Sequence, residues 1–158
     1  MTTVDIDIQQ KLRSEIAHTL STLLSDTFVL YTKTLNFHWN IEDPRFVSLH
    51  HFLEEQYEAL AEMNDEYAER IRMLGFKTKA SLKQFLELSS LEEDESSGKM
   101  NGDEMLKSLL KDHESIIKHL REAIKQATQA ADEGTADLFI KTIQFHEKSA
   151  WMLRSQLS

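Results

Sequence analysis

The amino-acid sequence predicts an all-α protein: four long helices in an antiparallel bundle, with one long crossover and a short extra helix inside it. Three observations carry this. Only five of the 158 residues are Gly or Pro (Gly75, Gly98, Gly102, Gly134 and Pro44), too few for the frequent turns of a sandwich or barrel. Apolar residues recur at helical spacing through four long stretches. One connecting segment, Gly75 to Gly102, is long enough to run the length of a bundle, whereas the other links are short. The length suits a single domain over residues 1–158 that buries a core without disulfide or metal staples.

The elements follow in order. A first helix is expected from about Asp7 to Phe37, with Ile8, Leu12, Ile16, Leu20, Leu23, Leu24, Thr27, Leu30 and Thr34 on one face. Pro44 stands where a second helix can begin, because Pro is tolerated in a first turn. That helix runs from about Phe46 to Leu74 and is stopped by Gly75. A short helix covers Ser81 to Leu88. The segment Leu91 to Glu104, with two of the four glycines and six carboxylates, reads as a solvated connection. A third long helix spans about Asp103 to Ala130. Gly134 and Thr135 break the chain, and a fourth runs to about Leu157.

Composition excludes several functions. With no Cys, there is no disulfide, thiolate metal site or Cys nucleophile. There is no Gly-rich phosphate loop and no Gly-x-Ser-x-Gly elbow. The N-terminus, MTTVDIDIQQKLR, lacks the basic start and apolar core of a signal peptide. No stretch approaches 18 apolar residues, so the expectation is a cytoplasmic protein with no membrane partner. The net charge of −9 disfavours nucleic acid and anionic membranes and favours solubility or cation binding.

The charge is concentrated. Between His38 and Arg70 there are nine carboxylates against two Arg, and between Glu92 and Glu104 six against one Lys. The second cluster lies in a loop, where solvation accounts for it. The first lies on a helix, where like charges at i, i+4 are destabilising. It is either solvated surface or a cation site. With His50 at 0° and about 100° per residue, Glu54 falls near 40°, Asp65 near 60° and Glu69 near 100°. Leu49, Leu53, Tyr57, Leu60, Tyr67 and Ile71 fall between about −20° and −100°. The polar residues thus form a stripe beside the apolar face, as two i, i+4 pairs. Eleven residues from Glu54 to Asp65 span ~16 Å of helix, so the pairs cannot share one ion within a chain. A two-fold axis near Leu60 would bring His50 and Glu54 against Asp65 and Glu69 of an antiparallel second copy, making two equivalent sites. His38, twelve residues before His50 and just beyond the first helix, is a further ligand. An intra-chain di-iron bundle would need two Glu-x-x-His motifs, and only Glu15-Ile-Ala-His18 is present. His113 and His119 lie among lysines, a poor place to attract a cation. His146 could join a metal site, but more often such a residue is at an interface or partly buried. Trp39 and Trp151 read first as packing residues.

The motifs Leu35-Asn-Phe-His-Trp-Asn40, Phe46-Val-Ser-Leu-His50, Asp65-Glu-Tyr-Ala-Glu-Arg70 and Leu74-Gly75, together with Glu54, resemble those of the Dps family (DNA-binding proteins from starved cells), the mini-ferritins of the ferritin-like superfamily. The resemblance covers essentially the whole chain. It implies a ferritin-like four-helix bundle, a dodecameric shell, and ferroxidase centres at two-fold interfaces. The family's ligands fall on His38, His50 and Glu54 of one subunit and Asp65 and Glu69 of the partner. Position 54 departs from the family pattern, which has Asp where this chain has Glu. Trp39 resembles the family's aromatic residue beside the di-iron centre, where it would quench a stray radical. The implied activity is oxidation of Fe(II), preferably by hydrogen peroxide rather than dioxygen, with ferric mineral stored in the cavity and protection against oxidative damage. Iron is the metal implied; zinc or another divalent ion fits similar ligands. Glu58 and Glu62 are candidates for mineral nucleation, and their simpler reading is solvated surface. Asp132, Glu133 and Asp137, in the last interhelical link, are candidates for a route by which iron reaches the shell. DNA compaction with little catalysis is the alternative. It is disfavoured because residues 1–13 carry Asp5, Asp7, Lys11 and Arg13, with no net side-chain charge, in place of a Lys-rich tail.

Overall fold

The computed structural model describes residues 4–96 and 98–158. Residues 1–3 of the N-terminal tail and Ser97 of the acidic connection lie outside the described residues. Five helices are present: α1 (Gln10–Asn40), α2 (Phe46–Met73), α3 (Leu82–Leu88), α4 (Gly102–Gln129) and α5 (Glu133–Gln156). All the described residues are helix or connection, so the fold is all-α.

The topology follows from a few side chains that mark the ends of the bundle. Arg13, buried near the start of α1, donates from Nη1 to the Leu74 carbonyl beyond the end of α2, at 2.7 Å. The start of α1 and the end of α2 therefore meet, and the two helices are antiparallel. At the opposite end Arg45, just before α2, donates to Asp43 at 2.8 Å and to Asp103 in the first turn of α4 at 2.6 Å. The same Arg45 donates to the Gln156 carbonyl at the end of α5, at 2.8 Å. This hydrogen bonding holds the Asp43 carboxyl down at about 2, below the usual carboxylate value. So α4 starts where α2 starts, and the two run parallel. The segment from Gly75 to Asn101 must travel the whole bundle, which is the long crossover expected from its length.

Side-chain pairs along α1 and α4 confirm the register. Thr19–Gln126 at 2.6 Å, Asp26–His119 at 3.3 Å and Lys33–Asp112 at 2.6 Å step in opposite directions along the two helices. The crossover is tied down midway. Phe85 of α3 stacks on Phe28 of α1 with centroids 4.4 Å apart. The fully buried Asp26 carboxylate accepts from Ser89 Oγ at 2.8 Å and from the Ser90 amide at 2.6 Å. A Ser81/Gln84 capping box starts α3 and an Asn101/Glu104 box starts α4. The core is filled by Leu20, Leu30, Phe37, Leu49, Leu53, Leu60, Leu106, Leu120 and Phe139, all without solvent exposure.

Three expectations are corrected. The first helix begins at Gln10 rather than Asp7, because Asp7 has a left-handed φ of 57°. It also continues to Asn40, so His38 lies on its last turn and not beyond it; the Ile41 amide closes that turn on the Phe37 carbonyl at 2.9 Å. Gly134 and Thr135 do not break the chain but lie in the first turn of α5. A Cβ on Gly134 would stand 2.9 Å from Arg70 Nη2, so this glycine makes room for a guanidinium rather than ending a helix.

Candidate metal centre

The last turn of α1 and the second turn of α2 bring His38 and His50 together at the corner between them. The rings stack with centroids 3.8 Å apart and planes 16° apart. Each is tied to the other's backbone. His38 Nδ1 lies 2.9 Å from the His50 carbonyl, and His50 Nδ1 lies 3.0 Å from the His38 carbonyl. A carbonyl only accepts, so both Nδ1 atoms carry the proton. That leaves each Nε2 as the ring nitrogen able to offer a lone pair to a metal ion when the imidazole is neutral. Phe46 stacks on the outer face of His50 at 5.0 Å, and Tyr57 meets His38 edge-on at 5.2 Å. Both rings are fixed without help from a ligand.

Glu54 stands one turn beyond His50 on α2, with its side chain 42% exposed and His51 Nδ1 3.6 Å from its Oε2. Desolvation, and next to it the charge of Glu54, push the Tyr57 hydroxyl above its ordinary value. Asp65 and Glu69 are exposed about three and four turns further along the same helix. The structure therefore joins His38 to His50, keeps Glu54 adjacent, and leaves Asp65 and Glu69 apart from Glu54 by the ~16 Å and ~22 Å that the helical rise dictates. Among the described residues, no three His, Asp or Glu side chains of this chain converge closely enough to hold a metal ion.

Large apolar side chains close to the imidazole pair in the chain are left uncovered. Trp39, Phe46 and Val47 are all exposed, Trp39 at 69%. The expected packing role of Trp39 is therefore not met within the chain. Glu58 and Glu62 are exposed on α2.

Of the three acidic residues expected in the last link, one is buried and two are exposed. Asp132 is 1% exposed and caps α5. Its Oδ1 accepts from the Thr135 amide at 3.0 Å and from Arg70 Nη2 at 2.6 Å, and its Oδ2 accepts from Thr135 Oγ1 at 2.6 Å. Its carboxylate is thus taken up by the α5 cap and by Arg70. Glu133 and Asp137 are exposed, but they sit on α5 rather than in a link.

Sequence reasoning missed two features. The reciprocal imidazole–carbonyl pairing has no pattern beyond the 12-residue His spacing. His113 and His146, on α4 and α5, are both buried and contact one another; the apolar period of α4 and α5 places both on core faces, which was the available signal.

Residues 17–158 match the family described as the Ferritin-like domain. The DNA protection during starvation protein 2 of Bacillus anthracis is 36% identical over 147 residues, spanning 93% of this chain and 99% of that one. The crystal structure of a Dps protein from Bacillus brevis superposes with a TM-score of 0.89 at 32% identity, covering all of both chains. The Dps protein of Vibrio cholerae, described as a member of the ferritin-like diiron-carboxylate proteins, superposes at 0.92 with 28% identity over 100% of this chain and 99% of that one. The class defined by fold and comparison is that of the ferritin-like bundles. Within it, this chain belongs to the Dps family.

Proposed function

We propose that the protein is a ferroxidase and iron-storing mini-ferritin whose oxidation sites are shared between two-fold-related subunits of a dodecameric shell. The observation that carries this reading is the locked pair of imidazoles, His38 and His50, each held through Nδ1 with Nε2 left for a metal. A pre-oriented imidazole pair beside a carboxylate suits Fe(II). Their fixed rings mean that little side-chain entropy is lost on binding.

His38, His50 and Glu54 of one subunit and Asp65 and Glu69 of its partner are the proposed ligands. Glu54 reaches further than the Asp usual in the family and changes the spacing of the bound ions. Ferrous ions are the substrate. Two of them give one electron each to one hydrogen peroxide, whose O–O bond breaks to give two hydroxide ions, so no hydroxyl radical is released. The carboxylates favour the ferric product because added negative charge stabilises the higher oxidation state. The exposed apolar rim of Trp39, Phe46 and Val47 suits burial against the partner, and its closure excludes bulk water from the site. Trp39, next to His38 in the chain, is then an easily oxidised side chain for a stray radical, as is Tyr57 at 5.2 Å from the His38 ring. Glu133 and Asp137 remain as the acidic residues of a route for iron into the shell, and Glu58 and Glu62 as nucleation sites for mineral.

The test is Fe(II) oxidation by peroxide in the intact assembly, comparing the unaltered protein with His50→Ala and Asp65→Ala. Both substitutions are expected to slow the initial rate by at least tenfold, as loss of a metal ligand should. Wild-type rates in both variants would refute the ligand assignment.

A further inference from the structure

Helices α4 and α5 meet through two imidazoles that the proposed iron chemistry does not use. His113 Nδ1 lies 2.9 Å from His146 Nδ1, and the residues are 1% and 0% exposed. Two nitrogens at that distance share one proton, so one ring donates Nδ1–H and the other accepts on a bare Nδ1. His146 Nε2 is buried without a partner. A bare acceptor is less costly to leave orphaned than an N–H, which makes His146 the donor and His113 the acceptor. Both rings are then neutral, and neither has a place for a further proton. Protonating the shared contact would set two N–H groups against each other. Protonating His146 Nε2 would bury a cation with an unsatisfied donor.

Among the described residues, the nearby carboxylates of the packed helices already have partners. From α1, Lys33 is bound to Asp112 of α4, and Asp26 is taken up by Ser89, Ser90 and His119. Glu66 of α2 is bound to Lys141 of α5. On the outer face of α4 and α5, Arg121 pairs with Glu147 and Arg154 with Glu114. Phe145 flanks both imidazoles, at 6.2 and 5.3 Å. Burial accordingly pushes the His113 imidazole down to about 3, and burial together with the neighbouring His113 pushes His146 well below its ordinary value.

We propose that the His113–His146 contact is an acid-sensitive latch: neutral, it closes α4 onto α5; protonated, it lets that half of the bundle open. Because both imidazoles are less basic in the closed bundle than in an open chain, the closed state is fully stable above the open-chain value of about 6.5 and loses stability as pH falls below it. Each imidazole shifts the closed-to-open equilibrium by about tenfold per pH unit, and the pair by up to about a hundredfold.

The experiment is backbone amide exchange on the full-length assembly at pH 7.5 and pH 5, corrected for intrinsic rates, alongside urea unfolding at both pH values. The double variant His113→Leu/His146→Leu is the comparison. In the unaltered protein, amides of α4 and α5 are expected to lose protection at pH 5 by at least tenfold more than those of α1 and α2. In the variant, the unfolding equilibrium should lose up to a hundredfold per pH unit of its acid dependence. If the variant fails to fold, the exchange of the unaltered protein decides alone. Uniform protection across the helices at pH 5, or an unchanged acid dependence in a folded variant, overturns the latch.

Discussion

Asp132→Ala separates a structural carboxylate from a functional one. The substitution removes the side-chain cap of α5, which accepts from the Thr135 amide at 3.0 Å. Loss of such a cap costs about 1 kcal/mol. It also strips Arg70 of its ion-pair partner at 2.6 Å, where the two side chains are 21% and 1% exposed. Breaking a fully buried pair costs roughly 3–5 kcal/mol, and an exposed pair contributes at most about 1 kcal/mol. With the guanidinium still able to reach water, about 2 kcal/mol is appropriate. The total is about 3 kcal/mol, a change of roughly 150-fold in the unfolding equilibrium. Urea unfolding measures it directly. Asp132→Asn keeps an acceptor for the Thr135 amide and is expected to recover about 1 kcal/mol. Folded Asp132→Ala protein at low temperature should oxidise iron at the wild-type rate, because the carboxylate faces Arg70 and Thr135 and not an ion path. A loss below about 0.5 kcal/mol would refute the structural assignment, and slowed iron uptake with intact stability would restore Asp132 to the ion path.

Further predictions concern the core, a turn and nucleic acid. Lys33→Met should destabilise by roughly 3–5 kcal/mol at pH 7, because Asp112 is left buried without its partner. Burial raises the Asp112 carboxyl even beside Lys33. Stability referred to this group is therefore greatest at acid pH and falls as pH rises through the raised value. The penalty of Lys33→Met should accordingly shrink at pH 4, as urea midpoints at both pH values would show. Gly75→Ala should cost about 1–2 kcal/mol: φ is +95° and a Cβ would lie 2.8 Å from Val4 Cγ2, so the variant's urea midpoint should fall. The assembly should leave plasmid DNA unshifted at physiological salt, since each chain carries −9; a clear gel shift would contradict this.

The fold was legible because scarcity of breakers and the apolar period act over whole helices. Four of the five helices start or end within a residue or two of the expected positions. The misreadings arose where one residue has two physical uses. Gly134 serves as space for the Arg70 guanidinium, where sequence suggests a break. Asp132 shares its carboxylate between a cap and an ion pair, where sequence suggests a residue on a route for iron. Helical periodicity put His50, Glu54, Asp65 and Glu69 on one stripe. It could not show the pairing of His38 and His50 through each other's carbonyls, because that depends on the angle between two helices across the Ile41–Arg45 corner. The His113–His146 contact was hidden for the same reason: a core histidine and its partner lie 33 residues apart.

The central claim is that each oxidation site draws ligands from two chains, and a mixing experiment tests it most directly. His50→Ala and Asp65→Ala proteins are unfolded, mixed in equal amounts, reassembled, and assayed for peroxide-driven Fe(II) oxidation. In a mixed two-fold pair one site carries both lesions and the other carries none. Half the pairs are mixed, so the account predicts about a quarter of wild-type activity from two nearly inactive parents. A mixture no more active than its parents, both reassembled alone, would contradict it.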